Sequence, residues 1–133
     1  MMPRQRMRWP LALALAAAGL GLIGGLAWAL RPRAEAETAA LARRSLREAT
    51  HQLDLFLQTY PTAPGEARGA LQRARSAFDQ AAGHLSLTRP AEVRQGRADF
   101  EQLQALTAAE APPETVLPLA RRLRERIQAL QGE

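Results

Sequence analysis

Glu48-Ala49-Thr50-His51 is a Glu-x-x-His stretch within helix-forming sequence, the spacing with which helical di-iron proteins aim two ligands inward from one helix face. Such a centre needs a second Glu-x-x-His and two further glutamates. The only other histidine, His84, has Ala81 three residues before it, so the second motif is missing. Glu48 and His51 are therefore expected on a solvated face, and a ligand- or metal-binding bundle using them is kept as an alternative. His84 falls near the end of a helix, where a cation is favoured by the helix dipole. After Arg33 the chain offers three serines, two histidines, no lysine and no cysteine, with no spacing that predicts a nucleophile, a base and an oxyanion site. No enzyme activity and no cofactor are expected.

Two further sets of residues are candidates for contact rather than chemistry. Arg121, Arg122, Arg124 and Arg126 form a dense basic cluster, a candidate contact for anionic lipid or an acidic partner. The same cluster is also explained as a charged helix face whose arginine stems cover the core. Ala17, Gly21, Gly25 and Ala29 recur every four residues, and Gly21 to Gly25 is a GxxxG. Small residues at that spacing let membrane helices pack closely, against another copy or a partner's helix. Alanine and glycine make up 11 of the surrounding 22 residues, so composition alone also yields such a stripe.

Those small residues lie in the run Trp9–Leu30, 22 residues without a charge between Arg8 and Arg31. At 1.5 Å per residue a helix of that length spans roughly 33 Å, the thickness of a bilayer's hydrocarbon core. Trp9 and Trp28 stand near its two ends, where interfacial aromatics belong. A cleaved signal is the competing reading: Arg4, Arg6 and Arg8 supply a basic start, and Ala27-Trp28-Ala29 a small-x-small site. The apolar run is long for a signal, and Arg31-Pro32-Arg33 is a poor mature start. The expectation is a retained anchor, with residues 1–8 a basic tail, 9–30 the transmembrane segment and 31–33 a short linker.

Charge then narrows the partners. The chain has a formal net charge of +5, which invites a nucleic-acid reading. Five of its 18 arginines precede residue 34, with no acid among them, leaving 13 arginines against 13 acids in the remainder. The basic excess belongs wholly to the membrane flanks, so no nucleic-acid partner is expected. With 28 alanines, 21 leucines and arginine as the sole basic residue, the composition carries the mark of a GC-rich genome. Arginines occur on both sides of the apolar run, but the tail's three arginines and free amine resist translocation, which favours the domain outside the cytoplasm.

Residues 34–133 are enough for one small domain. Apolar residues recur at spacings of three and four in four segments. The first, about 34–60, carries Leu46, Ala49, Leu53, Phe56 or Leu57, and Tyr60. The second, about 64–86, carries Ala67, Ala70, Leu71, Ala74, Ala77, Phe78, Ala81 and Leu85. The third, about 90–109, has Val93, Gly96, Phe100, Leu103 and Leu106 or Thr107, with Gly96 marking a close neighbour. The last, about 114–131, has Val116, Ala120, Leu123, Ile127 and Leu130, with Pro118 tolerated in or near its first turn. Proline-rich breaks separate them. Tyr60 to Pro64 resembles the turn between tetratricopeptide-type units, but that family's full repeat is absent and no family is assigned on it.

The fold expected is all-α: an N-terminal transmembrane helix followed by an antiparallel bundle of about four amphipathic helices. The function expected is a single-pass membrane protein whose domain is an interaction or scaffold module meeting a protein partner or another copy on the extracytoplasmic side. A secreted or periplasmic bundle, freed by signal cleavage, is the alternative.

Overall fold

The computed structural model describes residues 35–132, and within them the chain is all-helical, with four helices and no strand. The apolar run Trp9–Leu30, with Ala17, Gly21, Gly25 and Ala29, lies outside the described residues. No described helix is long and apolar enough to cross a membrane. From Thr38 onward the chain forms one compact unit. Helix α1 covers residues 35–59, α2 Pro64–Thr88, α3 Pro90–Ala108 and α4 Pro113–Gln131.

Three of the four helices start in the same way. Pro64, Pro90 and Pro113 each occupy the opening turn, where a missing N–H removes no helical bond and the fixed φ suits the helix. No side chain caps these starts, and Glu66, Glu92 and Glu114 instead bring negative charge to the first turns, against the positive end of the dipole. Helix α2 continues to Thr88, past Ser86 and Leu87, where the sequence predicts its close. Arg89 alone separates it from α3, because the residue before Pro90 is driven out of helical geometry. Pro118 lies inside α4, which continues through it.

The buried residues have heptad spacing. Ala42, Leu46, Ala49, Leu53 and Phe56 line α1, with Tyr60 just past its end, and Ala67, Leu71, Ala74, Phe78, Ala81 and Leu85 line α2, in alternating steps of four and three. Val93, Gly96, Phe100, Leu103 and Thr107 continue the pattern on α3, as do Val116, Ala120, Leu123, Ile127 and Leu130 on α4. A repeat averaging 3.5 residues keeps one seam turned toward the neighbours along a whole helix, as in coiled coils and four-helix bundles. At the two positions where the sequence admits either of two residues, Phe56 and Thr107 are buried and Leu57 and Leu106 only half-buried.

Polar links fix the order of the helices around the core. Gln52 and Arg73 join α1 to α2 at 3.0 Å; Asp79 and Arg97 join α2 to α3 at 3.5 Å. Asp99 and Arg126 join α3 to α4, and Gln131 closes α4 on Leu46 of α1. Ser45 meets Gln80 and Gln52 meets Arg73 along α1 and α2, Arg68 meets Thr107 and Asp79 meets Arg97 along α2 and α3, and Gln131 meets Leu46 and Arg124 meets Asp54 along α4 and α1, so each of these pairs runs antiparallel. The helices form a ring in chain order, with phenylalanines from three of them in its centre: Phe56, Phe78 and Phe100 are fully buried. The Phe78 and Phe100 rings lie 5.4 Å apart in a tilted pair.

The α3–α4 turn shows how the ends are tied. The amide of Ala111 donates to Leu106 O at 3.0 Å and that of Glu110 to Thr107 O at 3.1 Å, the two bonds of a Schellman motif. Glu110 takes φ 55°, the left-handed conformation usually given to glycine at this position. Tyr60 then donates its hydroxyl to Ala111 O at 2.5 Å, fastening the end of α1 to this turn.

Candidate functional site

The arginine cluster of α4 divides by its neighbours. Leu123 and Ile127 are in the core, so Arg124 and Arg126, next to them in sequence, fall on the two flanks of the buried stripe. Arg124 pairs with Asp54 of α1. Arg126 pairs with Asp99 of α3, its Nε 3.3 Å from Oδ2. These arginines are half-buried and serve as cross-braces between α4 and both its neighbours. Arg121 and Arg122 are exposed. Of the four arginines named from the sequence, the structure thus turns two outward and engages two within the bundle.

Asp99 is the residue that sequence reasoning missed. It is 5% exposed, a carboxylate on the edge of the core. Its Oδ1 accepts from Gln95 one turn earlier at 3.0 Å, and its Oδ2 has only the charge of Arg126, without hydrogen-bond alignment. The signal available was its place beside Phe100, the flanking position from which heptad helices form interhelical salt bridges. Its partner could be named only once the ring order was known.

Glu48 and His51 both lie exposed on α1. Glu48 Oε1 accepts from Gln52 Nε2 at 2.8 Å, a bond between successive turns of the same helix. Among the described residues, no group of three or more histidine, cysteine, aspartate or glutamate side chains converges on a point that could hold a metal ion. His84 is half-buried and stands instead at the rim of a cleft.

That cleft, about 220 Å³, opens at the end of the bundle where α1 starts and α2 and α4 finish. Its floor includes Ala42, Leu46 and Leu85, the edge of the core, and its rim carries Arg43, His84 and Arg89. Arg89 also pairs with Glu92 at 3.5 Å. An apolar floor below basic side chains can take an amphiphile, its apolar part inward and its polar part among the arginines. At the opposite end a second cleft, about 340 Å³, is lined by Tyr60 and four prolines, Pro61, Pro64, Pro112 and Pro113, with Glu110 and Ala111. There the Tyr60 hydroxyl is already engaged by Ala111.

Comparison with known proteins finds no match for this chain among protein-family models, curated proteins or solved structures.

Proposed function

We propose that this chain is a single-pass, amino-terminally anchored membrane protein that displays its helical bundle outside the cytoplasm and works by binding a partner. The observation that carries the reading is Trp9–Leu30, 22 residues without a charge and with a tryptophan near each end, long enough to span a bilayer as a helix. The anchor confines the bundle to the membrane surface, where a partner held in the same membrane is met at high effective concentration. Within the bilayer, Ala17, Gly21, Gly25 and Ala29 give the span a face for close helix packing. Outside it, exposed Arg121 and Arg122 offer the partner two unburied cations on a rigid helix.

The test is protease accessibility of a carboxyl-terminal tag on the chain in intact spheroplasts, with band size read against the full-length chain. A full-length band before protease, and digestion of the tag from outside after it, is the expected result. A protected tag would place the bundle in the cytoplasm and overturn the orientation. A band shortened by about 3 kDa, the mass of a signal of that length, would overturn the anchor.

A further inference from the structure

We infer that the end of the bundle bearing Leu41 and Leu87 rests on the phospholipid surface of the membrane that holds the chain. Leu41 is 58% exposed and Leu87 85% exposed, and they are the exposed large hydrophobic residues among the described ones. A single exposed leucine needs no explanation. These two share one end of the bundle: Leu41 lies between Ala39 and Ala42, Leu87 between Leu85 and Thr88, and all four of those neighbours line the same cleft.

This is also the end at which the chain enters the bundle. Ala39 follows Leu30 by nine residues, a connector that reaches no farther than about 30 Å even when fully extended. With a bilayer at Leu30, the connector leaves this end, rather than the proline-lined one, within reach of the lipid surface. Leucine beside arginine is the composition of interfacial contacts, with the apolar side chain at the acyl boundary and the guanidinium among headgroups. Leu41 has Arg43 and Arg44 beside it, and Leu87 has Arg89. Glu35 and Glu37 precede them closely in sequence, so the leucines, more than net charge, distinguish this end.

The inference rests on the proposed anchor, and the experiment separates the two. The chain has no cysteine, so a single introduced one takes a fluorophore at a chosen place. Full-length T88C reports from the leucine end, and full-length T62C from the exposed α1–α2 turn at the other. Each is reconstituted in phosphatidylcholine–phosphatidylglycerol vesicles containing a nitroxide-labelled lipid, with flotation confirming that chain and vesicle travel together. The result expected is quenching at position 88 severalfold above that at 62, and a severalfold drop at 88 when Leu41→Asp and Leu87→Asp are added. Both substitutions are on exposed positions, and an unchanged circular dichroism melt confirms that the fold is kept. Equal quenching at 88 and 62 in chain that floats overturns the inference and leaves the anchor standing. Unchanged quenching at 88 in the double aspartate variant also overturns it, because the leucines then make no contact. So does loss of quenching at 88 when protein per vesicle is diluted, since a second copy then covers the patch. Chain that does not float removes the anchor and the inference together.

Discussion

Gly96 and Gly83 are both helical glycines, yet replacing them should move stability in opposite directions. A Cβ built on Gly96 of α3 would stand 2.6 Å from Cζ of Phe78 and 3.2 Å from both its Cε atoms. Phe78 is itself fully buried, so its ring cannot swing away and the helices must part. Gly96→Ala should therefore cost about 1–3 kcal/mol, the usual range for overpacking. Gly83 of α2 is exposed with nothing within 4 Å of an added Cβ, and Gly83→Ala should gain about 0.5–1 kcal/mol from helix propensity and a less flexible unfolded chain. Thermal unfolding of the chain in lipid nanodiscs, followed by circular dichroism, checks both; a gain at Gly96 would mean that its contact with Phe78 is loose. Glu110 gives a third case. Its left-handed backbone strains a side chain that glycine would lack, and its ion pair with Arg68, 3.7 Å long and 81% exposed on the glutamate side, returns little. Glu110→Gly should raise the unfolding midpoint, by about 1 kcal/mol of stability.

At the scale of the elements, α4 is braced by Arg126 against a buried carboxylate and by Arg124 against a partly exposed one. Replacing Arg126 with methionine keeps most of its apolar stem and leaves Asp99 buried with only Gln95 as partner. That should cost about 1–3 kcal/mol, below the value for a fully enclosed pair because the arginine side chain is 32% exposed. Adding Asp99→Ala should recover part of the loss, whereas Arg121→Gln should stay within about 0.5 kcal/mol of the parent. A double-mutant cycle on the unfolding midpoints reads all three; additive effects at Asp99 and Arg126 would show that the pair does not act as a brace. The same elements show how far the sequence carries. Spacings of three and four disclosed the stripe of each helix, because burial forces that period, and the prolines disclosed the breaks. The ring order was hidden, since amphipathic stripes as alike as those of α2 and α3 do not say which flank meets which neighbour. For that reason Arg121, Arg122, Arg124 and Arg126 read as one basic cluster in sequence, although two of them belong to the fold.

For the whole molecule, the consequence of a closed ring is that no helix is dispensable. Val116, Leu119, Leu123, Ile127 and Leu130 of α4 are buried, and burial of five side chains of this size supplies roughly 8–15 kcal/mol. The net stability of a domain is itself only about 5–15 kcal/mol. A chain ending at Glu110 should therefore lose its cooperative transition, because the inward faces of α1 and α3 would be left without the helix that lies between them. Closure itself is finer work: Gln131 Nε2 donates to Leu46 O at 3.1 Å and to Thr50 Oγ1 at 2.5 Å, and Gln131→Ala should cost about 0.5–1.5 kcal/mol while leaving the transition cooperative. Hydrogen exchange distinguishes the two kinds of damage. Truncation should abolish slow exchange in α1, α2 and α3 together, whereas Gln131→Ala should speed it chiefly around Leu46 to Thr50 of α1 and at the end of α4. Retention of slow exchange in α1 to α3 after truncation would show that three helices suffice, and that α4 was added to a core already able to stand.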